Sequence, residues 1–322
     1  MTTLTSFGII SSELRQVEQK LLESVPEEIP ELASVVRSLI LAGGKRLRPA
    51  LVFLSGSINS PDHEKLLNAA VAVELLHTAT LIHDDTIDQA DVRRGIATAN
   101  SIFGPGVVIL LGDFLFAKAA HYAAMTSDPE AIDLFAKVLM VIVDGELRQS
   151  LGKHNGVPSE EEYYRRIYAK TAALFECCTE TGAILSKAPE PHRRALTTYG
   201  KKLGLAFQII DDLLDFTSTE QIGKPAGNDI RQGTITLPVI LFLQSAAVGD
   251  PRAEHVKAVI SGLSKDYDGA IDIIKSSGAL EKARDKAAAL IEEAKAALLV
   301  LPNSDSREAM MEIAQFTLER TL

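Results

Sequence analysis

The chain has 322 residues, 46% of them hydrophobic, a formal net charge of −10 and two cysteines. That length suits one large domain or two average ones, and it can bury a core without disulfides or structural metals. The acidic balance disfavours nucleic acid as a partner, since a phosphate backbone needs a basic face, and the neighbouring Cys177 and Cys178 offer no disulfide framework, which points to a reducing compartment.

The first ten residues, MTTLTSFGII, lack the basic start and small-residue cleavage run of a secretory signal. Helical periodicity follows at once, with Leu14, Val17, Leu21 and Leu22 forming an apolar stripe. Residues 66–82 and 138–143 are apolar on most faces, the pattern of helices in the middle of a bundle. The most apolar stretch, residues 107–116, is broken by Gly112 and Asp113 and is too short to span a bilayer, so at most loose membrane association is expected. Residues 283–299 are rich in the strong helix formers Ala, Leu, Glu and Lys. Prolines such as Pro30, Pro105, Pro129 and Pro251 fall between these stretches and punctuate helices. Only Pro238 sits in an apolar run, with Thr236 placed before it as an N-cap. There is no alternating strand pattern, linker or low-complexity tract. The expectation is a single all-α domain over residues 1–322, soluble and cytoplasmic.

Two acidic motifs interrupt the apolar helices: His83-Asp84-Asp85-Thr86-Ile87-Asp88 and Asp211-Asp212-Leu213-Leu214-Asp215. Residues four apart share a helix face, so Asp84 points with Asp88, and Asp211 with Asp215. Like charges at that spacing cost a helix roughly 0.2–0.5 kcal/mol per pair, and burying uncompensated carboxylates costs far more. A bland alternative makes them solvated helix ends with acidic first turns. The apolar flanks, residues 75–82 and 203–210, argue instead for depth and for a compensating cation. Carboxylate oxygens suit magnesium, which keeps waters and is shared with substrate phosphates.

Basic groups flank these motifs. Gly43-Gly44-Lys45-Arg46-Leu47-Arg48-Pro49 precedes the first, Arg93-Arg94-Gly95 follows it, Lys170-Thr171 lies between the two, and Gly223-Lys224-Pro225 follows the second. Arginine grips phosphate with two bonds and lysine acts as a point charge. Together they describe sites for two diphosphates, one bridged by metal and one held by cations alone.

In order and spacing, GGKRLRP, ELLHTATLIHDDTIDQADVRRG, GD, KT and GLAFQIIDDLLDFTSTEQIGKPAGND resemble the trans-polyprenyl diphosphate synthases. The resemblance runs from about Gly43 to Pro238. It implies one large helical bundle of the isoprenoid-synthase type with a central active-site cavity. It also implies that isopentenyl diphosphate is held without metal by Lys45, Arg48, His77 and Arg94. The allylic diphosphate would be bridged by three Mg2+ ions, replaceable by Mn2+. Asp84, Asp88 and Asp211 are implied as direct ligands, with Asp85, Asp212 and Asp215 as ligands or their support. Arg93, Lys170, Thr171, Gln208 and Lys224 are implied contacts of the allylic diphosphate. A homodimer is the family habit. Thr234 stands where many members carry a second lysine, which makes a short-chain product less expected. The small Ala79 and Thr80, just before the first motif, point the same way, to a product of C30 or longer, with Leu76, Phe116 or Met140 as candidate floors of the product tunnel. A short-chain synthase and a non-catalytic subunit of a heteromeric synthase are the alternatives. A terpene cyclase would not need Lys45, Arg48 and Arg94, and a non-catalytic subunit usually loses aspartates that are intact here.

Overall fold

The computed structural model describes residues 5–26, 28–41, 46–88, 90, 92–93, 96–152, 156–217 and 227–320. The protein is all-α. A short 3-10 turn, Thr5–Ile10, leads into α1 (Ser11–Glu23), α2 (Pro30–Leu41), α3 (Leu47–Gly56) and α4 (His63–Ile87). After α5 (Ala99–Phe103) come α6 (Pro105–Met125), α7 (Pro129–Gly152) and α8 (Glu160–Ile167). A π-helical turn, Tyr168–Ala172, joins α8 to α9 (Ala173–Leu185), and α10 (Glu190–Thr217) follows. The remainder is α11 (Asn228–Arg231), α12 (Leu237–Ser245), α13 (Pro251–Ile260), α14 (Tyr267–Ser276), α15 (Ala279–Leu298) and α16 (Asp305–Glu319).

Prolines open helices, as their spacing suggests. Pro30, Pro105, Pro129 and Pro251 are first residues, where a missing N–H leaves no bond unmade. Thr236 takes the N-cap position of α12 with extended backbone, but its hydroxyl caps nothing and is buried without a hydrogen-bond partner. Its capping role therefore fails. A sequence with no alternating pattern still forms one two-residue antiparallel ladder, Val92–Arg93 with Ile96–Ala97, too short to register as a period. Nor do Gly112 and Asp113 break the apolar stretch around them. They sit inside α6, which together with α4 is long and apolar enough to cross a membrane by length and composition. The apolar window of α4 is 78% buried within the protein, that of α6 only 33%.

Packing divides the chain into two units. The first comprises Met1–Lys137, Cys177–Thr197 and Val300–Glu312. Its axis is α4, buried on almost every face from Leu66 to Leu76 and packed against α1, α3, α5 and α6. Burial of that extent is the all-round apolar pattern read from residues 66–82. Cys177 and Cys178 are buried and unoxidised, and burial pushes the Cys178 thiol well up, so the pair acts as small core residues.

The second unit comprises Val138–Glu176, Thr198–Leu299 and Ile313–Leu322. Here α12 packs on α8, α14 and α15, and α8 runs directly into the π-helical turn. A complete capping box starts α8: the Glu162 N–H donates to the Ser159 hydroxyl, and the Ser159 N–H to the Glu162 carboxylate.

Candidate active site

Both acidic motifs lie at the C-terminal ends of long helices. Asp84 and Asp85 fall in the last turn of α4 and Asp88 is its C-cap, its N–H donating to the Asp84 carbonyl at 2.8 Å. Asp211, Asp212 and Asp215 fall in the last two turns of α10. Neither last turn contains a basic residue. A helix C-terminus carries a partial negative charge that disfavours an anion by about 0.3–1 kcal/mol. The bland reading needed acidic first turns, the favourable end. The triads occupy the opposite end and call for external cations.

In the first cluster, Asp85 is 4% exposed, Asp84 is half-buried and Asp88 is exposed. His83 beside them leans against α6, its Nε2 3.1 Å from the Ile109 carbonyl and 3.8 Å from Asp113 Oδ1, with the Phe116 ring 5.3 Å away. Gly112 makes this possible, because a Cβ there would overlap the imidazole. His77 is half-buried two turns upstream. Arg48 on α3 is half-buried and close enough to Cys178 to influence its thiol. Arg46, two residues earlier, turns inward. It adopts a left-handed backbone (φ 50°) at the start of α3, bonds the Ile40 carbonyl and pairs with Glu74 at 2.8 Å, both side chains buried. Of the cations in that motif, Arg46 thus belongs to the core. Lys45, Arg94 and Lys224 lie outside the described residues, as does the side chain of Arg93.

The second cluster separates its three aspartates by their partners. Asp212, 5% exposed, accepts from Tyr163 Oη at 2.7 Å and from Gln208 Nε2 at 2.9 Å, one bond on each oxygen. Burial pushes its carboxyl up to about 6 against these bonds. Asp215 accepts the backbone N–H groups of Asn228 (3.1 Å) and Asp229 (3.0 Å), and so holds the start of α11. Asp211 is 35% exposed and pairs with Arg320 at 3.1 Å.

Gln208 extends the network by accepting from the Thr171 hydroxyl at 2.6 Å. Thr171 and Lys170 sit in the π-helical turn, whose extra residue buries Thr171 while leaving Lys170 exposed. Gly204 permits the close approach of α10 to this turn, since a Cβ there would collide with Ala172.

Sequence reasoning missed Tyr163, Asp229, Arg166 and Arg320. Asp229 is mostly buried, and burial together with Asp215 and Asp212 pushes it up to about 7, while Lys170 and Arg166 pull the other way. Arg166 bonds the Ile235 carbonyl and lies 5.5 Å from the Tyr163 ring. Tyr163 had one available signal, its place two turns before Lys170. Asp229 ended the GKPAGND run but carried no assigned role. Of the proposed tunnel residues, Leu76 and Ala79 are fully buried and Phe116 packs on His83, but Met140 is 65% exposed and lines no interior wall of this chain.

A hard divalent cation fits the chemistry of these carboxylates, which offer oxygen donors only. Among the described residues no three His, Cys, Asp or Glu side chains form a ready cage.

Comparison with known proteins joins these observations. The Polyprenyl synthetase family matches residues 29–266. Solanesyl diphosphate synthase 2, chloroplastic, of Arabidopsis thaliana is 36% identical over 98% of this chain and 76% of its own length. Heptaprenyl diphosphate synthase component 2 of Geobacillus stearothermophilus is 36% identical over 96% of each chain. A polyprenyl synthase of Caulobacter crescentus, solved with calcium and isoprenyl diphosphate, superposes with a TM-score of 0.91 at 35% identity, over 98% of this chain and 97% of that one. This chain belongs to the polyprenyl synthetase family.

Proposed function

We propose that the protein is a trans-prenyltransferase that condenses isopentenyl diphosphate onto an allylic diphosphate and extends the product to C30 or longer. The observation that carries this reading is the placement of six carboxylates at the negative ends of two helices with no basic residue in either last turn. Asp84, Asp88 and Asp211 would present oxygens to Mg2+, three ions per site and replaceable by Mn2+, with the allylic diphosphate. When bound, the metal neutralises charge on the departing pyrophosphate. Asp212 and Asp215, whose oxygens are already engaged, hold the cluster in place. Lys170, Thr171, Gln208, Arg93 and Lys224 contact the allylic diphosphate. Lys45, Arg48, His77 and Arg94 hold isopentenyl diphosphate through charge alone.

The chain's own residues supply binding, orientation and exclusion of water. The allylic C–O bond ionises in an apolar surround, the isopentenyl double bond attacks, and a proton leaves to the released pyrophosphate. No side-chain nucleophile takes part. The small, fully buried Ala79 and the half-buried Thr80 leave room for a growing chain. The names of the solanesyl and heptaprenyl relatives support the long-chain reading. Val107, Ile109 and Leu110 of α6 are 39%, 49% and 69% exposed, an apolar surface that supports a homodimer.

Incubation with farnesyl and isopentenyl diphosphates, with and without Mg2+, followed by product chromatography, tests the reaction. Arrest at a single C20 product would move the assignment to a short-chain synthase. A second reading, one subunit of a heteromeric synthase, is favoured only by the component 2 relative. Activity of the purified chain alone would exclude it.

A further inference from the structure

The second acidic cluster contains a cation of its own. Arg320, just past the end of α16, reaches Asp211 with Nη2 at 3.1 Å from Oδ1. Its guanidinium lies 4.3 Å from the centre of the Phe207 ring, and Phe207 is one helical turn before Asp211 on α10. The other terminal nitrogen, Nη1, is buried without a hydrogen-bond partner among the described residues.

We propose that Arg320 is the resident counter-ion of this cluster: it holds Asp211 in the metal-free protein and yields it when a divalent cation binds. The inference rests on the proposed function, which assigns Asp211 to metal. Two observations single out this aspartate. Asp212 and Asp215 each have both oxygens engaged by groups of the chain, so neither is suited to changing partners. Asp211 and Arg320 are 35% and 28% exposed, so water can replace either partner during an exchange. An arginine does not give up its proton, so the charge leaves only by moving the side chain. The Phe207 face offers the guanidinium a second support, which Lys would use less well.

Arg320 then competes with the metal for one carboxylate and sets the metal affinity of the cluster. A partly exposed pair is worth little, so its removal corresponds to a change of roughly twofold to fivefold in affinity. The experiment is Mn2+ binding to the full chain without diphosphate, followed by electron paramagnetic resonance. Arg320→Gln is expected to bind Mn2+ more tightly than the native chain, and Phe207→Leu to shift affinity the same way by less. Arg320→Lys keeps the charge and should fall between native and Arg320→Gln. Thermal melting of Arg320→Gln should gain more from added Mn2+ than the native chain does. Tighter binding is a gain that misfolding does not produce. Unchanged or weaker binding by Arg320→Gln, in a preparation whose native form turns over substrate with Mg2+, overturns the inference alone. Native protein that takes up no Mn2+ and makes no product overturns the proposed function and this inference with it.

Discussion

The Tyr163 phenol donates to Asp212 Oδ2 at 2.7 Å, and the two residues are buried together, 49 positions apart in sequence. Burial pushes the tyrosine well above its ordinary value, so it remains a donor at any working pH. Gln208 takes the other carboxylate oxygen and passes the constraint on to Thr171 in the π-helical turn. Gln208 and Thr171, two of the side chains expected to contact the allylic diphosphate, are thus tied to a buried tyrosine.

Tyr163→Phe removes only the donor. A buried carboxylate oxygen left without its bond costs about 1–3 kcal/mol, which a urea midpoint would register. Losing an orienting partner of this kind typically costs 10–100-fold in metal affinity or activity. The expected outcome is a fall in kcat of that order, with the KM for isopentenyl diphosphate changed little. A variant with native kcat would remove Tyr163 from this role.

Asp211 and Asp215 have different duties, and their amides should separate them. Asp215→Asn turns one acceptor into a donor facing a backbone N–H of α11, which leaves that N–H unsatisfied at a cost of about 1–3 kcal/mol. Asp211→Asn gives up a partly exposed pair worth about 0.2–1 kcal/mol and leaves no backbone N–H of α11 unsatisfied. Melting temperature should therefore fall for Asp215→Asn and stay near native for Asp211→Asn. Activity should fall in both, with a raised half-saturating Mg2+ concentration in Asp211→Asn. Equal melting losses would show that the two carboxylates do one job.

The all-α architecture was legible because period 3.6 dominates the chain and because prolines at the first position of α2, α6, α7 and α13 mark helix starts. The triads were legible because a carboxylate in an apolar helix contradicts its surroundings. Their location at helix C-termini was not, since the end of α4 depends on where the chain turns after Asp88. Nothing in the sequence marks Arg46 as a core residue of its motif; the left-handed backbone there and the buried Glu74 turn it inward. Tyr163 and Arg320 act through partners 49 and 109 positions away, distances over which local pattern carries no information. Asp113 did not cut the apolar stretch short, because its side chain, 61% exposed, sits on α6 without ending the run of apolar residues around it.

The inward turn of Arg46 sorts the cations of its motif by function. Glu74→Leu would leave Arg46 only the half-exposed Glu18 carboxylate, 3.6 Å away, and breaking a buried pair costs up to about 3–5 kcal/mol. The melting temperature should drop accordingly, while the KM for isopentenyl diphosphate, measured well below the transition, stays within about twofold. Arg48→Ala should do the reverse, raising that KM with a smaller effect on melting. A large KM change in Glu74→Leu would mean that Arg46, too, serves the substrate.

Product length tests the interior of α4. Ala79 is fully buried, five residues before Asp84, so a ring in its place must enter whatever space the growing chain uses. Overpacking a core position costs about 1–3 kcal/mol, and a chain of this size retains its fold after such a loss. Ala79→Phe should shift the chromatographed product to shorter chains while the rate of the first condensation holds. Ala70→Phe is the control: Ala70 is equally buried on the same helix but lies 14 residues before Asp84, and it should lose stability without shortening the product. Shortening by both variants would mean that general loosening of α4, not a block beside the first acidic cluster, ends elongation.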